Sequence, residues 1–250
     1  MSRKALSRNQ FRERLLGIMA QKPHWAWPQF ANNGITKDQL KLHFQQEYEV
    51  YVRDFPVFLA RIHGQNPPAA VRRMLAENIY EEDTGRLSLG KSHPNLFLTM
   101  MKGLGYKVRE FERITLLPAS QRYRAWLDRL SAHHNWVIGA AVLTIFVEGS
   151  IHDRKEILNP SKAKTQKEIE ALVSHHPLVR HHHVSPHCMD LIRAHQMVEA
   201  GHRQDAYQMV ANYAADRHQQ DAVLATLQKI LALWLRYRDG IARACGLKPL

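Results

Sequence analysis

The sequence predicts an all-α bundle of seven or eight helices, folded as a single domain over residues 1–250. Three observations carry this. Apolar residues recur at helical spacing through nearly the whole chain. No segment shows convincing strand alternation, and no hairpin dipeptide or internal repeat is present. Prolines and glycines fall at the edges of the periodic segments, where they start and stop helices.

Each element has its own signal. "TKDQ" (36–39) fits a capping box, in which the Thr36 hydroxyl and the Gln39 amide satisfy the first free N–H groups. Leu40, Phe44, Tyr48, Tyr51 and Phe55 follow as one apolar stripe, and Pro56 is expected to kink or end that helix. Pro67 and Pro68 open "AAVRRMLAENIYEED", which closes near Gly85. "PNLFLTMMKGLG" has Pro94 in its first turn and stops near Gly105. A long pattern covers Ala119 to Glu148, with a break at "SAHHN". "TQKEIEALVSHH" is short and polar, and "CMDLIRAHQMVEA" ends at Gly201. "RQDAYQMVANYAADR" and "AVLATLQKILALWLRYRDGIARAC" complete the chain, with Gly246 as the stop.

Composition narrows the function classes. With 45% apolar and 23% charged residues, the chain has the make-up of a folded globular protein. Cys188 and Cys245 form no disulfide framework and the N-terminus has no secretory pattern, so a reducing, cytoplasmic setting is expected. The longest apolar run, "WVIGAAVLTIFV" (136–147), is too short for a membrane span, which needs about 20 residues. It reads as a buried core helix, and no membrane partner is expected. The net charge of +12, with Arg3, Lys4, Arg8, Arg12 and Arg14 crowding the start, leaves a non-catalytic basic binding module as a competing reading. That charge is spread along the chain without a nucleic-acid fold signature, so nucleic acid is not the expected partner. A homodimer is left open.

The chain has no glycine-rich phosphate loop, no HExxH and no GxSxG elbow. Its cysteines are too far apart for a zinc knuckle. ExxH occurs once, at Glu199 and His202, whereas ferritin-like carboxylate bundles need it twice.

Three segments carry candidate metal chemistry. "HHHVSPHCMD" (181–190) places His183, His187 and Asp190 at relative positions zero, four and seven. On a continuous helix they share one face, and two imidazoles with a carboxylate suit iron or manganese. The bland alternative is a solvated helix entry, with Ser185-Pro186 as N-cap and first helical residue. "YEED" puts Glu81 and Glu82 at a helix end, where negative charge opposes the helix dipole, and His93 starts the next helix. Glu148 ends the most apolar helix, where an ionised carboxylate needs a cation or a hydrogen-bond donor if it is buried.

These segments, in this order, resemble the haem-oxygenase-like superfamily that includes thiaminase II and the PqqC enzyme of pyrroloquinoline quinone biosynthesis. Within it, the chain is similar to the diiron oxidases grouped with the chlamydial death-domain-associating protein and p-aminobenzoate synthase. "GITKDQLKLHFQQEYEVYVRDFPVFLARI" resembles the second helix, "RRMLAENIYEEDTG" and "HPNLFLTMMKGLG" the next pair, and "ALWLRYRDGI" the C-terminal helix. The resemblance implies a haem-oxygenase-like bundle and a ligand set read as Glu, His, Glu, then His-x3-Asp-x2-His. The matches are Glu82, His93, Glu148, His183, His187 and Asp190, with the Asp and second His types exchanged in the triad. Glu81 competes with Glu82, and His195 substitutes if the helix is shifted.

The resemblance further implies two iron ions, with manganese allowed at one, and dioxygen as co-substrate. Glu148 is then the bridging ligand, and Glu82 and Glu148 are the catalytic carboxylates. The substrate is a small amine, amino acid or carboxylate in a biosynthetic pathway, and the basic charge points to a carboxylate-bearing one. Tyr48, Tyr51, Trp136, His152 and Arg154 are expected around the substrate. The metal-free PqqC-like alternative, an oxidase of a quinone or cofactor precursor, would use His24, His152 and Arg154. The thiaminase branch needs a nucleophilic cysteine, and neither Cys188 nor Cys245 has the expected placement.

Overall fold

Many helices in this protein begin where a short polar side chain caps the first free N–H groups or a proline in the first turn removes one of them. The computed structural model describes residues 4–159, 163–198 and 202–249, with Val198 and His202 described in backbone alone. The Ser7–Gln10 capping box starts α1 (Arg8–Met19), and the short α2 (Trp27–Phe30) follows with Pro28 in its only turn. The Thr36–Gln39 box starts α3 (Lys37–Glu47). The apolar stripe continues through a π-helical turn, Tyr48–Val52, into α4 (Phe55–His63). The helical run breaks at Arg53–Asp54, just before Pro56, as expected of a proline that kinks or ends a helix. Pro56 occupies the first turn of α4, where its missing N–H is harmless.

Next come α5 (Ala69–Thr84), closed by Gly85 at φ 61°, and α6 (His93–Gly103) with Pro94 in its first turn. The expected break at "SAHHN" separates α7 (Pro118–His133) from α8 (Trp136–Ala140), which Asn135 caps. Helix α8 continues as a second π-helical stretch, Ala141–Val147. Helix α9 (Asp153–Leu158), α10 (Gln166–His175), α11 (Pro177–Arg180), α12 (Asp190–Val198), α13 (His202–Tyr213) and α14 (Arg217–Ala244) complete the order. There are more helical segments than the seven or eight expected, because prolines and π turns divide the long periodic stretches and short helices fill the connections. Among the described residues there is no strand. The expected helix end at Gly201 and the single ExxH glutamate, Glu199, lie outside the described residues, as does Arg3.

The buried apolar side chains form one contiguous cluster from Phe11 to Cys245. Helix α14 lies along α1 and α7, α4 packs between α5 and α7, and α13 packs on the second π stretch. Val142, Leu143, Ile145 and Phe146 are fully buried, so the longest apolar run is a core helix as expected. Each such side chain contributes about 1.5–3 kcal/mol by leaving water. No helix among the described residues is long and apolar enough to cross a membrane. Both π stretches end beside the cavity described next, and π turns widen a helix and re-aim the side chains that follow.

Candidate active site

Five stretches of chain supply polar side chains to one cavity of about 260 Å³. Helix α5 contributes Glu77, Asn78, Glu81 and Glu82 from its last two turns; residues four apart share a face, so 77 pairs with 81 and 78 with 82. His93, the first residue of α6, faces them across the turn that Gly85 opens. Glu148 follows the second π stretch, and His195 comes from α12 and Arg203 from the start of α13. Tyr51, Val52, Phe55, Val147 and Leu191 form the apolar part of the wall.

Glu81 and His93 are both buried. Glu81 accepts from the Leu87 N–H at 2.8 Å and from the Ser88 hydroxyl, and its Oε1 lies 3.2 Å from His93 Nε2. Glu82 Oε1 lies 2.9 Å from the other ring nitrogen, Nδ1. That approach is close but poorly aligned, so the buried Nδ1 meets no acceptor with hydrogen-bond geometry. Burial disfavours a charged His93 ring, but Glu82 and then Glu81 outweigh it and hold the pKa above the ordinary value. The His195 ring packs edge-on to His93, with centroids 5.0 Å apart. Burial, reinforced by His93, pushes His195 down to about 3, so it is neutral at pH 7.

Glu148 accepts from Asn78 Nδ2 at 2.7 Å and lies 3.7 Å from Arg203 Nη1. Arg203 is itself buried. Its Nη2 donates to the Thr144 carbonyl at 2.8 Å and lies 3.3 Å from Asp153 Oδ2, which also accepts from Tyr207. Its Nε is buried without an acceptor.

Of the residues singled out in the sequence, Glu81, Glu82, His93, Glu148, His195 and Tyr51 line this cavity. His183, His187 and Asp190 do not. The chain between them is not a continuous helix: His183 sits in a turn at φ 55°, Pro186–Cys188 is a 3-10 turn, and α12 starts only at Asp190. His183 and His187 are exposed, and Asp190 pairs with Arg193 at 3.1 Å. Ser185 precedes the 3-10 turn without capping it.

The remaining pocket candidates lie elsewhere. Tyr48 stacks on Phe97 in the core, and Trp136 packs against Tyr213. His152 is exposed and Arg154 pairs with Glu13 at the surface. His24 is buried on Asp239. Cys188 is half-buried beside Gly103 and Cys245 is buried near the chain end, both away from the cavity.

Sequence reasoning missed Glu77, Asn78 and Arg203. The spacing of Glu77 to Glu81 and of Asn78 to Glu82 carried a signal for the first two. From His195 the sequence also carries His-x3-Glu199-x2-His202, the spacing that the resemblance implies with Glu in place of Asp. Glu199 and the His202 side chain lie outside the described residues.

The donor set fits iron in type, since carboxylate oxygens and imidazole nitrogens both suit it. A buried ring nitrogen beside a misaligned carboxylate is a place where a shared cation would satisfy both. Among the described residues, no three such side chains already converge on one point as a ligand set.

A family model described as an iron-containing redox enzyme matches residues 42–235. The 4-aminobenzoate synthase of Nitrosomonas europaea is 20% identical over 249 residues, covering 94% of this chain and 92% of that protein. The 4-aminobenzoate synthase of Chlamydia pneumoniae is 23% identical over 120 residues, covering 48% and 51%. Among solved structures, a domain of unknown function with a heme oxygenase-like fold from Shewanella denitrificans OS217 superposes with a TM-score of 0.64. Its identity is 16%, with 94% of this chain and 90% of that chain covered. A TenA homolog from Pseudomonas syringae pv. tomato DC3000 superposes with a TM-score of 0.63 at 13% identity, covering 94% and 89%. The architecture is the haem-oxygenase-like fold.

Proposed function

This chain belongs to the iron-containing redox enzyme family, and we propose that it oxidises a small organic substrate with dioxygen at iron held in this cavity. The observation that carries the reading is that Glu81, Glu82, His93, Glu148 and His195 line one cavity although they come from four separate stretches of chain. Glu82, His93, Glu148 and His195 would hold the metal, with Glu199 and His202 extending the set by sequence spacing. Two ions are proposed, with manganese tolerated at one. When bound, the iron supplies the oxygen-activating redox chemistry, which side chains alone do not provide.

The protein's own residues do the rest. The Leu87 N–H, the Ser88 hydroxyl and His93 hold Glu81 in place, and Asn78 orients Glu148. Tyr51, Val52, Phe55, Val147 and Leu191 offer an apolar wall that excludes water and packs against the body of a substrate. Arg203 is a permanent cation on the lining with an unsatisfied Nε–H, and it would receive a carboxylate. The two 4-aminobenzoate synthase relatives favour a biosynthetic role with an aromatic carboxylate as substrate or product.

The test is anaerobic loading with Fe(II), measurement of iron per chain, and oxygen uptake on exposure to air. Wild type is expected to bind iron and consume oxygen, and Glu148→Ala to lose at least one iron and consume less while its helical signal persists. Equal uptake by the two proteins would remove Glu148 from the site. Oxygen uptake by metal-stripped wild type on a quinone precursor would favour the metal-free alternative.

A further inference from the structure

Lys22 follows the end of α1, and its amine reaches the far end of the helix that presents Glu148. Nζ donates to the Phe146 and Gly149 carbonyls, both at 2.6 Å, and lies 3.4 Å from the Val147 carbonyl. These carbonyls flank Glu148 on both sides. They are available because the last carbonyls of a helix have no partner within it. The Phe146 and Trp234 rings enclose the amine at 5.0 and 5.1 Å. Trp234 Nε1 also donates to the Lys22 carbonyl at 3.2 Å, so α14 holds Lys22 in turn.

A second observation concerns the same turn. Gly149 has no room for a side chain: a Cβ there would lie 2.6 Å from Asp153 Oδ2 and 2.9 Å from Arg203 Nη2. The chain immediately after Glu148 is thus pressed onto the Arg203–Asp153 pair, and Arg203 takes the Thr144 carbonyl one turn earlier. The backbone on either side of Glu148 is held by two basic side chains from other elements. Arg203 faces the cavity, whereas Lys22 is not among the residues that line it.

We propose that Lys22 is a positioning residue for Glu148, fixing by its carbonyl contacts how the helix end delivers that carboxylate to the metal. The inference rests on the iron reading above. Metal donors must be held within about 0.5 Å of a productive geometry, and the Lys22 contacts brace the backbone on both sides of this donor. Loss of such an outer support typically weakens metal binding about 10–100-fold.

The experiment is an anaerobic calorimetric titration with Fe(II) of wild type, Lys22→Met, Glu148→Ala and the double variant. Lys22→Met is expected to bind iron at least about tenfold more weakly. The double variant is expected to bind no more weakly than Glu148→Ala alone, because a residue acting through Glu148 has nothing left to position. Wild-type affinity in Lys22→Met, or a further loss in the double variant as large as that of Lys22→Met by itself, overturns the proposal. If circular dichroism shows that Lys22→Met does not fold, the same cycle is run with Lys22→Gln, which keeps an N–H donor on a shorter arm, with the same criteria. Absence of iron uptake by wild type overturns the iron reading itself and takes this inference with it, and it is seen before any variant is titrated.

Discussion

Asn78 Nδ2 donates to Glu148 Oε1 at 2.7 Å and so ties the last turns of α5 to the end of the second π stretch. Three glutamates from one element and a fourth from another thereby face a common space. Asn78→Ala is expected to weaken iron binding about tenfold, as removal of a bond that orients a ligand does. The side chains are only partly buried, so unfolding free energy should change by less than about 1.5 kcal/mol. Iron titration and urea denaturation on the same protein check the two parts.

Arg203 and Asp153 form a buried pair, with Asp153 also accepting from Tyr207 and from the Ser150 N–H. Arg203→Met leaves that carboxylate buried without its cation, which costs about 3–5 kcal/mol. Adding Asp153→Asn removes the stranded charge and should recover part of the loss. Urea unfolding of wild type, the single variant and the double variant measures this; equal stability of all three would mean that the pair is energetically idle.

Lys22 links stability to pH. Burial, helped by Arg203 and Arg238 and opposed by Asp153 and Glu47, pushes its amine from the ordinary 10.5 down to about 7. The unfolded chain therefore binds a proton more tightly than the folded one between these values. The contribution is fully present above 10.5 and is lost as pH falls through about 7, so stability should rise with pH across this window. The difference between wild type and Lys22→Met isolates the effect from the buried tyrosines, whose raised pKa values turn the slope the other way in alkali. A difference that stays flat from pH 7 to 10 would show that Lys22 keeps its ordinary pKa.

Gly85 closes α5 at φ 61°, and a Cβ there would fall onto the Lys91 backbone, 2.6 Å from its nitrogen. Gly85→Ala should destabilise by more than about 1 kcal/mol from the left-handed conformation alone, with the clash added. Because this turn leads from Glu81 to His93, iron affinity should fall too. Thermal unfolding and iron titration report the two effects.

The local chemistry of the helix ends was legible in the sequence. Thr36 and Gln39 form their capping box, Pro94 sits in a first turn, and Asn135 divides the long apolar pattern. Glu81, Glu82, His93 and Glu148 could be picked out for a similar reason. Each is a charged or ligating side chain at a helix edge, where solvent or a partner must be reached. The caps and helix breaks depend on contacts within about four residues, which spacing alone encodes.

His183, His187 and Asp190 do not share one helix face, because the 3-10 turn after Ser185 and the left-handed His183 break the helix that their spacing assumed. His187 lies in the 3-10 turn before α12, whereas His195 lies within α12 itself. His195, not His187, lines the cavity.

The sequence by itself determined an all-helical chain, its main breaks, and a short set of candidate glutamates and histidines, donor types that suit iron. Only the tertiary structure decided which of them meet. Lys22 reaches Phe146 across 124 positions, Glu148 finds Asn78 across 70, and Arg203 finds Asp153 across 50. Contacts at such separations follow from how whole helix faces pack to bury apolar surface. Hydrophobic burial is non-directional, so a local pattern shows that a face is buried without showing what it is buried against.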